Sequence, residues 1–192
     1  MTKYFYKCLT KKKYKSNFYT LEAVQPQHIE LIRRWRNKQM DFLRQSSKIS
    51  KKEQTIYFET YVWPELKNTY PNQILFSFKL NKLIIGYGGL VNLSWIDKKA
   101  EMSFLLNNSF LKNDNHYDTH MTNFITLIKN ITFNELNFNR LYTETYCFRV
   151  SHIKTLCANG FKEEGRMREN IFLKNQYYDS ILHSIIKKDY SD

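Results

Sequence analysis

Residues 74–106 read ILFSFKLNKLIIGYGGLVNLSWIDKKAEMSFLL, and the fold class turns on this stretch. Ile74, Phe76 and Phe78 alternate with Leu75, Ser77 and Lys79, which is the period of a strand. Asn81-Lys82 predicts a hairpin turn, and Leu83 to Val91 the return strand. Gly86, Gly88 and Gly89 interrupt that strand. Glycine inside a strand marks a bulge or a close approach of another backbone. Ile96-Asp97-Lys98 predicts a second turn, and Ala100 to Leu106 a third strand with Glu101 near its start.

Upstream, Phe18 to Val24 predicts a short strand. Gln25-Pro26 then opens a helix, since proline is tolerated in a first turn. Ile29, Ile32 and Trp35 recur at helical spacing. Ser50 with Glu53 forms a capping box for a second helix that ends at Pro64. Downstream, Asn107 to Asn115 is polar and loop-like, and Thr122 to Phe133 is helical. Arg140 to Phe148 predicts a strand, and Ser151 to Ala158 a helix closed by Gly160. Phe161 to Glu164 and Tyr177 to Ile186 predict the last two strands, joined by a turn near Lys174-Asn175. Strands interleaved with helices in this order give an α/β (α+β) layer architecture.

The chain has 192 residues, 42% hydrophobic and 25% charged, which fits one globular domain and excludes a disordered chain. No apolar run approaches the roughly 20 residues of a spanning helix. Residues 1–17 are basic, with Lys11, Lys12, Lys13 and Lys15, and are expected to form an arm or an edge hairpin outside a single domain over 18–188. They lack the apolar core of a secretory signal. Cys8, Cys147 and Cys157 are odd in number and widely spaced, which points to reduced thiols in a cytoplasm and to no metal site. The net charge of +12 favours an anionic partner: nucleic acid, a phospholipid surface or a phosphate-bearing small molecule. No recognised nucleic-acid-binding motif supports the first.

Three segments resemble the GNAT family of acyl-CoA-dependent N-acetyltransferases. They are Trp35-Arg36-Asn37, then Leu136 to Arg140 running into Thr143-Glu144-Thr145, and Asn159 to Glu169 ending in Tyr177-Tyr178-Asp179-Ser180. The last is the most specific and is similar to the branch containing ribosomal-protein and amino-sugar N-acetyltransferases. The resemblance implies a central mixed, mostly antiparallel sheet flanked by helices. It also implies acetyl-CoA as co-substrate, and no metal. The acyl carrier would lie along Phe104, Leu105 and Leu106 and against the loop and helix start at Lys112, Asn113, Asn115, His116 and Tyr117, with Arg149 nearby. Leu111 to Asp118 carries no glycine, unlike the family's usual phosphate loop. Arg149 and Leu156 stand where the family usually has Asn and a general-acid Tyr, and Tyr146 and His152 are candidate replacements for that acid.

By the same resemblance, Glu101 is the leading candidate base, followed by Glu144, with Tyr87 as a catalytic or substrate-binding group. The plain alternative for Glu101 is a salt link to Lys99 or an arginine. Arg36 and Asn37 are candidate acceptor-binding residues. The implied function is acetyl transfer to a primary amine, foremost an amino sugar on a nucleotide diphosphate in bacterial surface-polysaccharide biosynthesis. The alternatives are the N-terminal amine of a ribosomal protein and a non-catalytic module that kept the fold. A monomer or homodimer is expected.

Overall fold

The computed structural model describes residues 4–110 and 114–191, with the side chains of residues 114–116 and 191 outside that description. Eight strands form one sheet in the order β1-β2-β3-β4-β5-β6-β8-β7. They are β1 Lys13–Ser16, β2 Tyr19–Ala23, β3 Ile74–Leu80, β4 Leu83–Ser94, β5 Lys99–Leu106, β6 Arg140–Tyr146, β7 Lys162–Leu173 and β8 Gln176–Ile186. Every neighbouring pair is antiparallel except β5 and β6.

Helices cover both faces. Helices α1 (Ile29–Lys38) and α2 (Lys51–Tyr57) lie on one face, where Ile32, Trp35 and Phe58 meet Leu75, Tyr87 and Leu105. Helix α3 (Asp114–Asn130) lies on the other, where Phe124 and Ile128 join Phe78, Met102 and Leu141. Helix α4 (Val150–Ala158) adds Leu156 to that core, and α5 (Lys187–Ser191) stacks Tyr190 on Phe133. The period of two in each strand decides which core a residue joins. Among the described residues no helix is long and apolar enough to cross a membrane.

The capping box of α2 forms as its sequence requires: Glu53 N–H donates to Ser50 Oγ at 3.2 Å, and Ser50 N–H to Glu53 Oε2 at 2.7 Å. Gly160 takes φ +86° after α4, the left-handed turn that ends the helix.

Of the two forms expected for residues 1–17, the edge hairpin is the one seen: β1 pairs with β2 at the sheet edge, and Tyr6, Leu9 and Tyr14 belong to the α3-side core. Two other expectations are corrected. Helix α3 begins at Asp114, within the stretch expected to be a loop, and continues through a wider turn at Ile131–Glu135. Strand β7 reaches Leu173 instead of stopping at Glu164, because bulges at Glu163/Gly165 and Met167/Ile171 let a polar sequence stay paired with β8.

Gly88 sits where β4, β5 and α3 converge. A Cβ there would lie 2.2 Å from the Ser103 carbonyl oxygen and 2.9 Å from both Phe104 Cα and Phe124 Cζ. Backbone cannot yield as a side-chain tip can, so this is overpacking without relief. Gly88→Ala is expected to lower unfolding free energy by about 1–3 kcal/mol, read as a lower urea midpoint at unchanged slope.

Candidate active site

Strands β5 and β6 are paired only at Lys99–Arg140, Ala100–Leu141 and Glu101–Tyr142, and then separate. Beyond that point the β5 backbone must find other partners. The Met102 carbonyl accepts from Thr143 Oγ1 at 3.2 Å, and the Leu106 carbonyl from Gln39 Nε2 at 2.7 Å. The carbonyls of Ser103 and Leu105 point the opposite way, toward Gly88 and Gly86 of β4. Alternation therefore turns the Phe104 N–H and C=O into the gap between β5 and β6. Of the three expected carrier-binding residues, Phe104 alone keeps both backbone groups directed there. Leu106 has its carbonyl occupied, and Leu105 packs toward α1 and α2.

A cleft of about 210 Å³ opens at this fork, with Arg36, Arg44, Glu101, Glu144, Arg149 and His152 among its walls. Glu101 and Glu144 come from adjacent strands and share one counter-charge. Arg44, from the loop after α1, is bonded to Glu144 Oε2 and lies 3.6 Å from Glu101 Oε1. Glu144 Oε1 accepts from Asn170 at 3.0 Å, and Glu101 Oε2 from Asn92 at 2.8 Å. Both oxygens of Glu144 are thus engaged, whereas Glu101 Oε1 keeps only the long contact. Neither Lys99 nor any other lysine pairs with Glu101; Lys99 bonds to Asp97 instead.

Tyr87 is not in this cleft. It is 6% exposed, belongs to the α1–α2 core, and lines a separate chamber. Burial holds its phenol protonated by pushing its pKa well above the usual value. Arg36 borders both spaces and has no hydrogen bond or ion pair among the described residues. Asn37 lies elsewhere. Its amide donates to the Ile49 carbonyl at 2.8 Å and accepts from Ile49 N–H at 2.9 Å and Gln45 Nε2 at 2.9 Å. It clasps the α1–α2 loop, with its oxygen accepting twice and one of its two N–H groups donating within the protein.

At the mouth of the gap, the Tyr117 hydroxyl is bonded to His152 Nδ1, and Arg149 Nη2 lies 3.5 Å from both. Arg149 can only donate, so the hydroxyl passes its own proton toward Nδ1 and Nε2 carries the imidazole hydrogen. His152 is 6% exposed, and burial followed by the Arg149 charge holds its pKa well below the ordinary value, so the ring is neutral. A wider groove of about 600 Å³ continues outward past Asp118, Phe148, Val150 and Lys154. Asp118 accepts from Thr155 Oγ1 at 2.5 Å, which turns its charge away from the start of α3. Asn115 and His116 occupy the first turn of α3, with side chains outside the description, and Lys112 and Asn113 lie outside the described residues. Leu156 is fully buried and offers no polar group, while Tyr146 lines the cleft.

Sequence reading missed Arg44 and Gln39. Both lie in a stretch without periodicity, and only the return of that loop over the fork brings them to the site.

A model of the acetyltransferase (GNAT) domain matches residues 21–182. The chain belongs to the GNAT acetyltransferase family. No curated protein matches it. Among solved structures, spermidine N-acetyltransferase from Vibrio cholerae in complex with CoA and spermine is similar, with a TM-score of 0.79 at 18% identity, covering 92% of this chain and 100% of that one. A dodecameric form of the V. cholerae enzyme gives 0.74 at 18%, covering 91% and 97%. A probable GNAT-family acetyltransferase from Chromobacterium violaceum gives 0.74 at 12%, covering 94% and 89%. Identities this low speak for the fold alone. Family membership makes this GNAT chain an acyltransferase with acetyl-CoA as co-substrate, and its fork fits that carrier. Phe104 offers a donor and an acceptor to an amide, and the groove outside leads to the α3 N-terminus, Arg149 and Lys154, which suit phosphates.

His28, His152 and His183 are all buried, and burial lowers the pKa of each. The unfolded chain takes up protons below about pH 6.5 that the native rings refuse, so stability falls as pH drops through that window. The carboxylates held low by arginines, Glu30 and Glu164 at about 2, act only below the normal carboxylate range. Urea midpoints are expected to decrease from pH 7 to 5. His152→Gln should flatten that slope by up to about 1.4 kcal/mol per pH unit.

Proposed function

We propose that this GNAT enzyme acetylates the primary amine of a small anionic acceptor, foremost an amino sugar carried on a nucleotide diphosphate. The observation that carries this reading is the set of three guanidiniums, Arg36, Arg44 and Arg149, that line one cleft with two carboxylates. The Arg36 guanidinium in particular has no partner among the described residues. An unpaired, partly buried guanidinium presents a planar fork suited to phosphate.

The similar V. cholerae enzymes are spermidine N-acetyltransferases, one of them in complex with spermine. A polyamine carries positive charge along its whole length. In this cleft it would face three arginines in a chain of net charge +12. Like charges in a partly desolvated cleft repel, so an acceptor with one amine and remote negative charge is favoured.

Acetyl-CoA supplies the activated carbonyl. Glu101 takes the proton of the acceptor ammonium through Oε1, the cleft's least engaged carboxylate oxygen. Glu144 holds Arg44 in place. The Phe104 N–H polarises the carbonyl, and the neutral His152 lines the same space. The C–N bond forms and the C–S bond breaks, and the second proton lost by the nitrogen leaves with the thiolate as coenzyme A thiol.

Coenzyme A thiol release, measured across a panel of amines, tests the reading. A uridine-diphosphate-linked amino sugar is expected to react faster than the free amino sugar, spermine or an N-terminal peptide. Glu101→Gln should lower kcat by roughly 10²-fold or more with little change in KM for acetyl-CoA. Preference for spermine or the peptide, or no release with any amine, overturns it.

A further inference from the structure

A second chamber of about 310 Å³ lies between α1, α2 and β4, and Arg36 is the residue it shares with the carboxylate cleft. Its volume is in the range of small-molecule sites. Tyr87 lines it from β4. That side chain is 6% exposed, and its hydroxyl makes no hydrogen bond with any described residue. The hydroxyl is not sealed off either, since it is absent from the fully enclosed unpartnered polar atoms, which include Tyr14 Oη and Trp63 Nε1. A buried hydroxyl left without a protein partner is unfavourable unless something else satisfies it.

The other polar groups agree in sign. Arg33 and Arg34, on the same helix as Arg36, are both bound to Glu30, whereas the Arg36 guanidinium has no hydrogen bond or ion pair among the described residues. Lys48, at the chamber's rim, also lacks a described partner. Glu53 is the one carboxylate on the wall, and it is tied to the Ser50 N–H. What remains is a set of donors: a neutral phenol, a guanidinium and an ammonium.

We propose that this chamber binds a phosphoryl or diphosphate group, held by Arg36, Lys48 and the Tyr87 hydroxyl. The inference rests on the acceptor reading above and deepens it. The acceptor's amine lies at Glu101 and its phosphates lie across Arg36, so the guanidinium sets the distance between reacting nitrogen and charged handle. Of the two roles expected for Tyr87, catalytic and substrate-binding, the chamber gives it the second.

Calorimetry with inorganic pyrophosphate tests it, on protein saturated with desulfo-coenzyme A so that the carrier's own phosphate site is filled. Binding is expected for the native chain. It should weaken about tenfold or more in Arg36→Gln, weaken several-fold in Tyr87→Phe, and stay unchanged in Lys15→Gln on the distant edge strand. The Tyr87→Phe change keeps the packing, which an unshifted thermal midpoint verifies. No heat with pyrophosphate, or equal binding by the native chain, Arg36→Gln and Tyr87→Phe, overturns the chamber. The amine panel decides the acceptor separately. Pyrophosphate binding together with a preference for a neutral amine sinks the acceptor reading and leaves the chamber standing as a phosphoryl site.

Discussion

Two parallel strands that part after three residue pairs leave backbone groups that something other than the sheet must satisfy. That parting of β5 from β6 is the constraint on which the rest of the site depends. Thr143 answers one carbonyl and Gln39 another, and Phe104 between them stays open. The parting also draws Glu101 and Glu144, residues of neighbouring strands, into one cleft instead of leaving them on a continuous sheet surface. Gly88 holds the other side of β5. Its missing side chain lets β4, β5 and Phe124 approach, so the fork is backed by packed backbone.

The loop between α1 and α2 does the complementary work from above. Asn37 clasps Ile49 at both its N–H and its C=O, which closes the loop on itself. Within that closed loop, Gln39 reaches the β5 edge and Arg44 reaches both carboxylates. One short segment therefore touches the free edge of β5, the carboxylate cleft and, through Lys48, the second chamber.

Periodic features were legible in the sequence and non-periodic ones were not. The alternation in β3 through β5, the capping box at Ser50 and the left-handed Gly160 all formed as their local chemistry dictates. Glu101 and Glu144 were singled out by the family resemblance, and the structure brings both to one cleft. Arg44 could not, because nothing in residues 39–49 has a period and the loop's path is set by the Asn37 amide. The space that Tyr87 lines was not legible for a related reason: its flanking glycines signal close backbone approach, but they do not say which of two spaces the ring enters. Strand β7 was cut short because its alternation is broken by two bulges that only pairing with β8 makes tolerable. The buried Tyr6, Leu9 and Tyr14 were hidden among lysines whose charge dominates the segment's composition.

The shared hold of Arg44 on Glu101 and Glu144 has a consequence for entry. A protonated amine arriving at the cleft does not meet bare carboxylates; it meets a pair already neutralised in part by an internal cation. Its docking is an ion exchange, in which the guanidinium loosens as the ammonium settles. Such an exchange leaves the local charge nearly constant and filters out inorganic cations, which displace a bonded guanidinium poorly.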